Sequence, residues 1–191
     1  LVLDMKNKQV IVIGAGAGGM MAAGRAAEKG ASVLLLEKMS TPGRKILVSG
    51  KTRCNLSNSR DLDDFISAYG LNGRFLYGAF HRFFRDELLE LMRRYGVETK
   101  TERGGRIFPA SDDSADVVQA FQKYLSEFGV ETRFSVKVNR IITAHGKISG
   151  VETDKGEFPA EAVIVAAGGA SWPATGSTGD GYHMAREVGH N

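Results

Sequence analysis

The pattern of hydrophobic and polar residues near the start of the chain predicts two parallel strands joined by a helix. Residues 9–13, Gln-Val-Ile-Val-Ile, form a short continuous apolar run, which is typical of a strand buried on both faces of a parallel sheet. Residues 32–36, Ser-Val-Leu-Leu-Leu, form a second run of this kind. An alanine-rich helix is expected between them over residues 18–29, with Gly30 at its C-terminal end. Together these segments predict a right-handed βαβ unit.

Apolar residues spaced three to four positions apart predict helices in the middle of the chain. Over residues 73–95 this spacing, with arginines between the apolar positions, indicates one or two amphipathic helices that end at Gly96. Two short strands, residues 97–101 and 106–108, are expected on either side of a turn at Gly104-Gly105.

The second half of the chain predicts a helix, a strand, a small antiparallel β-meander and one more buried strand. The helix is capped by Asp113 or Ser114 and is stopped by Gly129. Alternating apolar and polar residues over 136–162 favour the meander. The remaining elements are a strand over 130–134, a buried strand over 162–167 and a final helix over 181–188.

These elements predict an α/β fold with three layers, in which a Rossmann-like parallel sheet carries a small antiparallel β-meander. We expect one domain over residues 1–191, made of the βαβ unit (about 9–37), a helical and short-strand insertion (about 60–112), a helix, strand and meander (about 113–162), and a final strand and loop (163–191). The sequence stops soon after the last helix, without the further strands that a closed fold of this type uses. We therefore expect the domain to be truncated.

Composition and charge exclude several classes of protein. With 191 residues, of which 42% are hydrophobic, the chain is long enough to bury a core and too apolar for a disordered segment. The net charge is only +3, so neither a nucleic-acid partner nor a long basic surface is expected. A single cysteine, Cys54, excludes an internal disulfide and favours a reducing compartment such as the cytoplasm. No membrane span and no metal site are expected, because long apolar runs and clustered ligands are missing from the sequence.

A glycine-rich segment follows the first predicted strand. Residues 14–19, Gly-Ala-Gly-Ala-Gly-Gly, match the G-x-G-x-x-G pattern in the strand-to-helix context that gives this motif meaning. Gly14 allows a tight turn, Gly16 lets a pyrophosphate approach the backbone, and Gly19 lets the helix pack closely on the strand. The free N–H groups at the helix start favour bound phosphates. Glu37, at the end of the second strand, is placed to accept hydrogen bonds from ribose hydroxyls and disfavours a 2′-phosphate.

The glycine pattern alone does not separate NAD from FAD, and the loops that follow narrow the choice. Residues 41–45, Thr-Pro-Gly-Arg-Lys, and 49–55, Ser-Gly-Lys-Thr-Arg-Cys-Asn, contain too many glycines and cations to belong to a core. Cations are electrostatically favourable beside a pyrophosphate, and Arg44 can bind one through two parallel hydrogen bonds.

An ordered set of motifs resembles the HI0933-like, or aminoacetone-oxidase-like, family of NAD(P)/FAD-dependent oxidoreductases. The set consists of the nucleotide turn, Gly43-Arg-Lys45, Ser49-Gly50 followed by Arg53-Cys-Asn55, and Ala166-Ala-Gly-Gly169 leading to Thr-Gly-Ser-Thr-Gly-Asp-Gly-Tyr at 175–182. The resemblance covers nearly all of the chain and implies an FAD-binding fold of the glutathione-reductase type. The sequence departs from the family pattern at Lys51-Thr52, where relatives often have glycines, and in length, because family members are considerably longer.

The resemblance also implies which residues hold the cofactor. Gly14, Gly16, Ala17, Gly18 and Gly19 would hold the pyrophosphate, Glu37 and Lys38 the adenosine ribose region, and Arg44 and Lys45 the phosphate side. Ser49, Arg53, Cys54 and Asn55 would lie toward the ribityl chain and the isoalloxazine, the backbone at Val138 would contact the adenine edge, and Ala167, Gly168, Gly169 and Asp180 would lie near the flavin. No catalytic side chain is assigned.

The expected function is that of an FAD-dependent oxidoreductase, with non-covalent FAD that accepts a hydride from NAD(P)H or a small organic substrate and passes electrons on. Three alternatives stay open: an FAD-binding fragment without turnover, an NAD-dependent dehydrogenase and a flavin-dependent RNA-modifying protein. The substrate and the oligomeric state are not fixed by the sequence.

Two features of the sequence allow competing interpretations. The arginines between residues 74 and 106 are interpreted as a solvated helical face and not as an RNA-binding patch, because the aromatic residues among them keep core spacing. Cys54 follows Arg53, which could lower the pKa of its thiol and make it reactive. A small buried side chain is the favoured interpretation of this lone cysteine.

Overall fold

The computed structural model describes residues 6–190 of the chain. This part divides into two compact units: the first holds the residues up to Lys45 and those from Phe121 onward, and the second is Ile46–Ala120. The strands are β1 (Gln9–Ile13), β2 (Ser32–Glu37), β3 (Ser57–Asn58), β4 (Thr99–Thr101), β5 (Arg106–Pro109), β6 (Glu131–Phe134), β7 (Val138–Ala144), β8 (Lys147–Thr153), β9 (Gly156–Pro159) and β10 (Ala162–Val165). The α-helices are α1 (Ala17–Glu28), α2 (Arg44–Val48), α3 (Leu62–Ser67), α4 (Tyr77–Phe80), α5 (Arg85–Arg94), α6 (Ser114–Glu127) and α7 (Asp180–Glu187). Three short 3₁₀ segments are Gly70–Leu76, Arg103–Gly105 and Pro173–Thr175.

Four parallel strands form the sheet of the first unit, in the order β10, β1, β2, β6. Strands β1 and β2 lie side by side at its centre, with Ile11 opposite Leu34 and Ile13 opposite Leu36. The predicted βαβ unit is confirmed, since β1, α1 and β2 begin and end within one residue of the expected positions. Because the strands are parallel, the carboxyl ends of β1, β2 and β10 meet at one edge of the sheet, where ligands of open α/β sheets bind.

Both faces of this sheet are covered, which produces the three predicted layers. On one face α1 packs across β1, β2 and β10. Gly24 of α1 allows α6 to approach closely, because a Cβ at this position would lie 2.0 Å from the ring of Tyr124. On the other face, Ile11 and Leu36 share an apolar core with Val151 of the meander and Met184 of α7.

The antiparallel meander is confirmed, whereas the last strand differs from its prediction. Strands β7, β8 and β9 pair in that order, and the turn at His145-Gly146 joins the first two. The strand expected to be buried over 162–167 ends at Val165 and lies at the edge of the parallel sheet. Val165 is therefore 39% exposed, because an edge strand is covered less completely than a central one.

The second unit combines a three-stranded antiparallel sheet, in the order β3, β5, β4, with short helices. Strands β4 and β5 flank the glycine turn as predicted, with Thr101 opposite Ile107. The prediction of one or two helices over 73–95 is confirmed by α4 and α5, whereas the 3₁₀ segment that precedes them was not predicted. The break before α5 lies at Phe84, whose backbone is extended (φ −123°, ψ −147°) and whose N–H donates to the Glu87 carboxylate at 2.9 Å.

The aromatic residues of the second unit form a packed cluster and an exposed surface. Phe65 contacts Phe80 and Phe84 edge-on, with ring centroids 5.5 and 5.0 Å apart. Phe75 is 89% exposed, and Leu71 is fully exposed. The expectation that the aromatic residues of this region occupy core positions therefore holds for the cluster and fails for Phe75.

Two kinds of feature are missing from the part of the chain that the structure describes. Within residues 6–190, no helix combines the length and the apolar character needed to cross a lipid bilayer. No group of three or more histidine, cysteine, aspartate and glutamate side chains in the same range is arranged to hold a metal ion.

Candidate nucleotide-binding site

The turn between β1 and α1 requires glycine at two positions for reasons internal to the protein. Gly14 has a φ of +100°, and a Cβ at this residue would lie 2.7 Å from the carbonyl oxygen of Ala166. A Cβ on Gly19 would lie 1.7 Å from the carbonyl oxygen of Gly14. The structure thus supports the roles predicted for Gly14 in the turn and for Gly19 in close packing.

Gly16 and Gly18 have no such internal reason to be glycine. Gly16 has a φ of −77°, which any residue adopts, and Gly18 also lies outside the left-handed region. A Cβ on either residue would meet no protein atom within 4 Å. The space above these two residues is open, so the backbone there is accessible to a ligand, and the residues present fit a bound pyrophosphate.

The start of α1 offers uncompensated N–H groups next to this open space. Gly16 is the N-cap, it supplies no side-chain hydrogen bond, and the first turn of the helix contains no acidic residue. Ala17 and Gly18 are exposed. A helix start without a capping side chain keeps its orphan donors and its partial positive charge for an anion.

Glu37 is fastened to the backbone of the glycine turn. Its carboxylate accepts a hydrogen bond from the N–H of Ala15 at 2.7 Å and another from the N–H of Met39 at 2.8 Å. One oxygen serves each donor, and each still has a free acceptor position for a ribose hydroxyl. The carboxylate therefore holds the glycine turn in place, a role that the sequence did not predict. Its predicted contact with the ribose stays a prediction.

The segment after β2 is also bound to the glycine turn and carries two cations. The N–H of Gly43 donates to the carbonyl oxygen of Ala15 at 2.8 Å. Arg44 is half-buried, Lys45 is exposed, and neither makes an ion pair with another residue in the range 6–190. The Lys45 ammonium lies 3.8 Å from the point where a Cβ on Gly168 would be, so this cation reaches the loop after β10.

The loop after β10 brings the predicted flavin-side residues to the same edge of the sheet. Ala167 packs partly into the apolar core beneath the sheet. Gly168 lies against Ser177, and the carbonyl oxygen of Gly169 accepts a hydrogen bond from the N–H of Gly179 at 3.2 Å. Their contact with a flavin stays a prediction. Val138 is buried at the start of β7, with its side chain in the same core, so only its backbone is available to an adenine.

Lys38 and Asp180 are in direct contact with each other. The Lys38 ammonium lies 2.7 Å from the Asp180 carboxylate and donates to the Thr178 hydroxyl, also at 2.7 Å. The hydrogen bond from Lys38 is the main reason why the pKa of Asp180 is lowered, and a second hydrogen bond from Thr178 adds to this effect. The Asp180 carboxylate therefore stays ionised at a pH where an ordinary aspartate is protonated.

Arg53, which belongs to the second unit, is engaged by acidic residues of that unit. Its guanidinium lies 2.8 Å from Glu102 and 3.1 Å from Asp112, and it stacks 4.1 Å from the centroid of the Phe108 ring. The hydrogen bond with Arg53 is the main cause that lowers the pKa of Glu102. The predicted contact of Arg53 with a flavin stays a prediction.

The neighbours of Arg53 are held by hydrogen bonds within the second unit. The Ser49 hydroxyl donates to the carbonyl oxygen of Ile46 at 2.9 Å. The side-chain amide nitrogen of Asn55 donates to the carbonyl oxygen of Ser57 at 2.9 Å and to that of Ile107 at 3.2 Å, with the amide group oriented so that its nitrogen faces both. Cys54 is buried, and this burial raises the pKa of its thiol, partly offset by a hydrogen bond with Ser49. The hypothesis of a thiol with a lowered pKa is therefore wrong, and the alternative of a small buried side chain is confirmed.

Lys51 and Thr52 adopt the backbone conformation that favours glycine. Their φ angles are 58° and 68°, although neither is glycine and threonine is β-branched. Both residues thus hold a backbone conformation in which glycine would be less strained.

We expect Thr52→Gly to raise the free energy of unfolding by about 1 kcal/mol, because glycine removes the steric cost of the left-handed conformation. Urea unfolding measures the change. The matched control is Thr143→Gly, at an exposed position of strand β7, where glycine loses strand propensity and lowers the stability. A loss of stability in Thr52→Gly would contradict this assignment of strain.

Several hydrogen bonds at the candidate site were not predicted from the sequence, and they involve backbone groups and one hydroxyl. They are the N–H groups of Ala15 and Met39, the carbonyl oxygen of Ala15 and the hydroxyl of Thr178. A signal was present for Thr178, since a threonine two positions before an aspartate that begins a helix commonly bonds locally. For the backbone groups the sequence has no signal.

Comparisons with known proteins agree with this geometry. The family description "HI0933-like protein Rossmann domain" matches residues 8–191. The chain is 36% identical over 182 residues to a 3-dehydro-bile acid delta(4,6)-reductase of Clostridium scindens, and the match covers 94% of this chain and 43% of that protein. It is 32% identical over 190 residues to a ribosomal RNA dihydrouridine synthase of Escherichia coli, and this match covers 98% of the chain and 46% of that protein. The chain thus spans less than half the length of these relatives.

Solved structures share the fold at low sequence identity. A flavocytochrome c3 fumarate reductase in an open conformation matches 96% of this chain and 41% of its own, with a TM-score of 0.66 and 21% identity. The THI4 protein of Thermovibrio ammonificans matches 97% of this chain and 64% of its own, with a TM-score of 0.60 and 15% identity. The Rossmann-like fold, the order of the motifs and the match over nearly the whole chain lead to one conclusion: this chain belongs to the HI0933-like family.

Proposed function

We propose that the first unit binds FAD, with the pyrophosphate at the start of α1. The observation that carries this proposal is the open space above Gly16 and Gly18, where glycine is needed neither for packing nor for the φ angle. Arg44 and Lys45 supply positive charge next to this space. Glu37 retains acceptor positions for the ribose of adenosine, and its negative charge disfavours a 2′-phosphate there.

The flavin end of the cofactor would lie along residues 167–169 and the start of α7. These residues follow β10, which pairs with β1 in the parallel sheet, so both ends of a dinucleotide find partners at one sheet edge. Bound FAD supplies the hydride and electron transfer that no side chain of this chain can supply. The role of the residues of the chain would be to bind and orient the cofactor.

The reaction we propose is the reduction of a carbon–carbon double bond conjugated to a carbonyl group. The names of the two relatives describe a delta(4,6)-reductase of a 3-dehydro-bile acid and a synthase of dihydrouridine. Both names describe two hydrogens added to a double bond that a carbonyl group polarises. In such a step the carbon β to the carbonyl would receive a hydride, which reduced FAD would supply, and the α carbon would receive a proton from solvent. NAD(P)H is the proposed source of the next two electrons.

The test mixes dithionite-reduced, FAD-loaded protein with candidate acceptors in the absence of oxygen. We expect a steroid with a 4-en-3-one group to restore the visible absorbance of oxidised flavin and to gain two hydrogens by mass spectrometry. The control is the corresponding saturated 3-keto steroid, which has no double bond to reduce. If neither an unsaturated steroid nor uridine oxidises the reduced flavin, the proposed reaction is contradicted. A cofactor-binding unit without turnover would then be favoured.

A second candidate, flavin-dependent modification of RNA, is favoured by one surface of the second unit. Exposed Tyr69 and Phe75 line a cavity of about 390 Å³, and the exposed Arg74 lies between them in sequence. Exposed rings next to a cation can stack on the bases of a single strand. A uridine-containing RNA oligonucleotide provides the test, because this candidate predicts binding that falls with salt and is weakened in Phe75→Ala. Binding that persists unchanged in Phe75→Ala would contradict it.

A further inference from the structure

Three side chains from two distant parts of the chain form a closed set of polar contacts at the carboxyl edge of the sheet. Lys38 follows β2, whereas Thr178 and Asp180 lie at the start of α7. The Lys38 ammonium contacts both partners at 2.7 Å, and the Thr178 hydroxyl donates to the other oxygen of Asp180 at 2.8 Å. We name these three residues the Lys38 clasp.

The clasp joins the long loop between β10 and α7 to the end of β2. This loop, residues 166–179, contains one 3₁₀ turn and one isolated bridge, between Trp172 and Ser177, as its only regular structure. Gly176 lies against the side chains of Lys38 and Met39, at 3.4 and 3.2 Å from its ideal Cβ position. Lys38 is therefore both the polar partner and part of the packing surface of the loop.

The contacts of Lys38 also limit what else it can bind. An ammonium group has three N–H donors, and two of them are directed at Asp180 and Thr178. The side chains of Lys38 and Asp180 are only 23% and 25% exposed, so screening by solvent is weaker than for a surface pair. Lys38 therefore keeps a single N–H donor for any other partner, although each oxygen of Asp180 still has a free acceptor position.

We infer that Lys38 and Asp180 are positioning residues, which hold the loop after β10 in place for the cofactor and do not bind the cofactor themselves. This inference rests on the proposed FAD binding. In this role the two residues do not contact the cofactor. What matters is the ion pair between Lys38 and Asp180. The loop they hold carries Gly168 and Gly169, which are proposed to lie along the flavin.

The experiment compares Lys38→Met, Asp180→Asn and the charge-swapped double variant Lys38→Asp/Asp180→Lys with the unaltered 191-residue chain. One readout is the amide hydrogen exchange of residues 168–179 without cofactor, and the other is the affinity for FAD. We expect each single variant to speed exchange in this loop and to weaken FAD binding, both by about five- to tenfold. We expect the swapped pair to restore both to within about threefold of the original values.

The matched control is Arg25→Met, which breaks an ion pair with Glu28 on the same unit, at a helix end away from the loop. It should change neither readout. If the swapped variant recovers the slow hydrogen exchange of the loop but not the affinity for FAD, the two side chains contact the cofactor. That result would overturn the inference. Unchanged exchange in Lys38→Met would also overturn it. Failure of the unaltered chain to bind FAD would refute the proposed function, while the exchange measurement would still decide whether the clasp holds the loop.

Discussion

Replacing Gly16 with valine is expected to weaken FAD binding by more than about a hundredfold while leaving the fold intact. The valine side chain would occupy the space in which the pyrophosphate is proposed to approach the backbone, and its Cβ would have no protein atom within 4 Å apart from its chain neighbours. The φ of −77° at this residue suits valine, so the free energy of unfolding should fall by no more than about 1 kcal/mol, the cost of replacing glycine at the N-cap of α1. Equilibrium titration with FAD and urea unfolding of the same sample measure the two quantities.

Two other glycines serve as controls for this variant. Gly78 in α4 also has open space around its Cβ position, and it lies in the second unit, so Gly78→Val should leave the affinity for FAD unchanged. In Gly19→Ala the new Cβ would collide with the carbonyl oxygen of Gly14, and the protein should lose stability as well as affinity. Normal FAD binding by Gly16→Val, or its unfolding, would refute our interpretation of this glycine.

Replacing Glu37 with alanine is expected to affect both stability and cofactor affinity. The change leaves the N–H groups of Ala15 and Met39 without their acceptor, which costs about 1–3 kcal/mol of unfolding free energy if water does not replace it. It also removes the proposed partner of the ribose hydroxyls and frees the phosphate turn. We expect the affinity for FAD to fall about a hundredfold, as measured by titration.

Glu161 provides a matched control for Glu37. Its carboxylate accepts a hydrogen bond from the N–H of Gln9 at 3.1 Å, at the opposite end of β1, and this contact is exposed. Glu161→Ala should therefore lose less stability than Glu37→Ala and keep its affinity for FAD. Equal losses of affinity in the two variants would mean that Glu37 acts only through general stability.

The parts of the fold that could be predicted are those fixed by a local pattern. The βαβ unit is such a case, because an apolar run, a glycine turn and an alanine-rich helix all indicate the same structure within 29 residues. The alternation of the meander is equally local, and its turn at His145-Gly146 is marked by the sequence. The glycine roles at Gly14 and Gly19 follow from the same short segment.

The parts that could not be predicted depend on partners that are distant in the sequence. Nothing near Lys38 indicates that its partner is Asp180, 142 positions later. Arg53 likewise pairs with Glu102 and Asp112 through the folding of the second unit. The break at Phe84 had a weak local signal in Glu87, three positions later, but regular helical spacing on both sides concealed it. Side-chain partners at a site are therefore less predictable than the elements that carry them.

We propose that an adenine dinucleotide with a flavin end binds at the glycine turn. The most direct test is to titrate the chain with FAD, FMN and NAD⁺ in parallel. We predict saturable binding of one FAD per chain. FMN should bind much more weakly, because it lacks the adenosine diphosphate part that the glycine turn and Glu37 are proposed to hold, and NAD⁺ should bind more weakly because it lacks the flavin. No saturable binding of FAD, or FMN binding as tightly as FAD, would contradict the proposal.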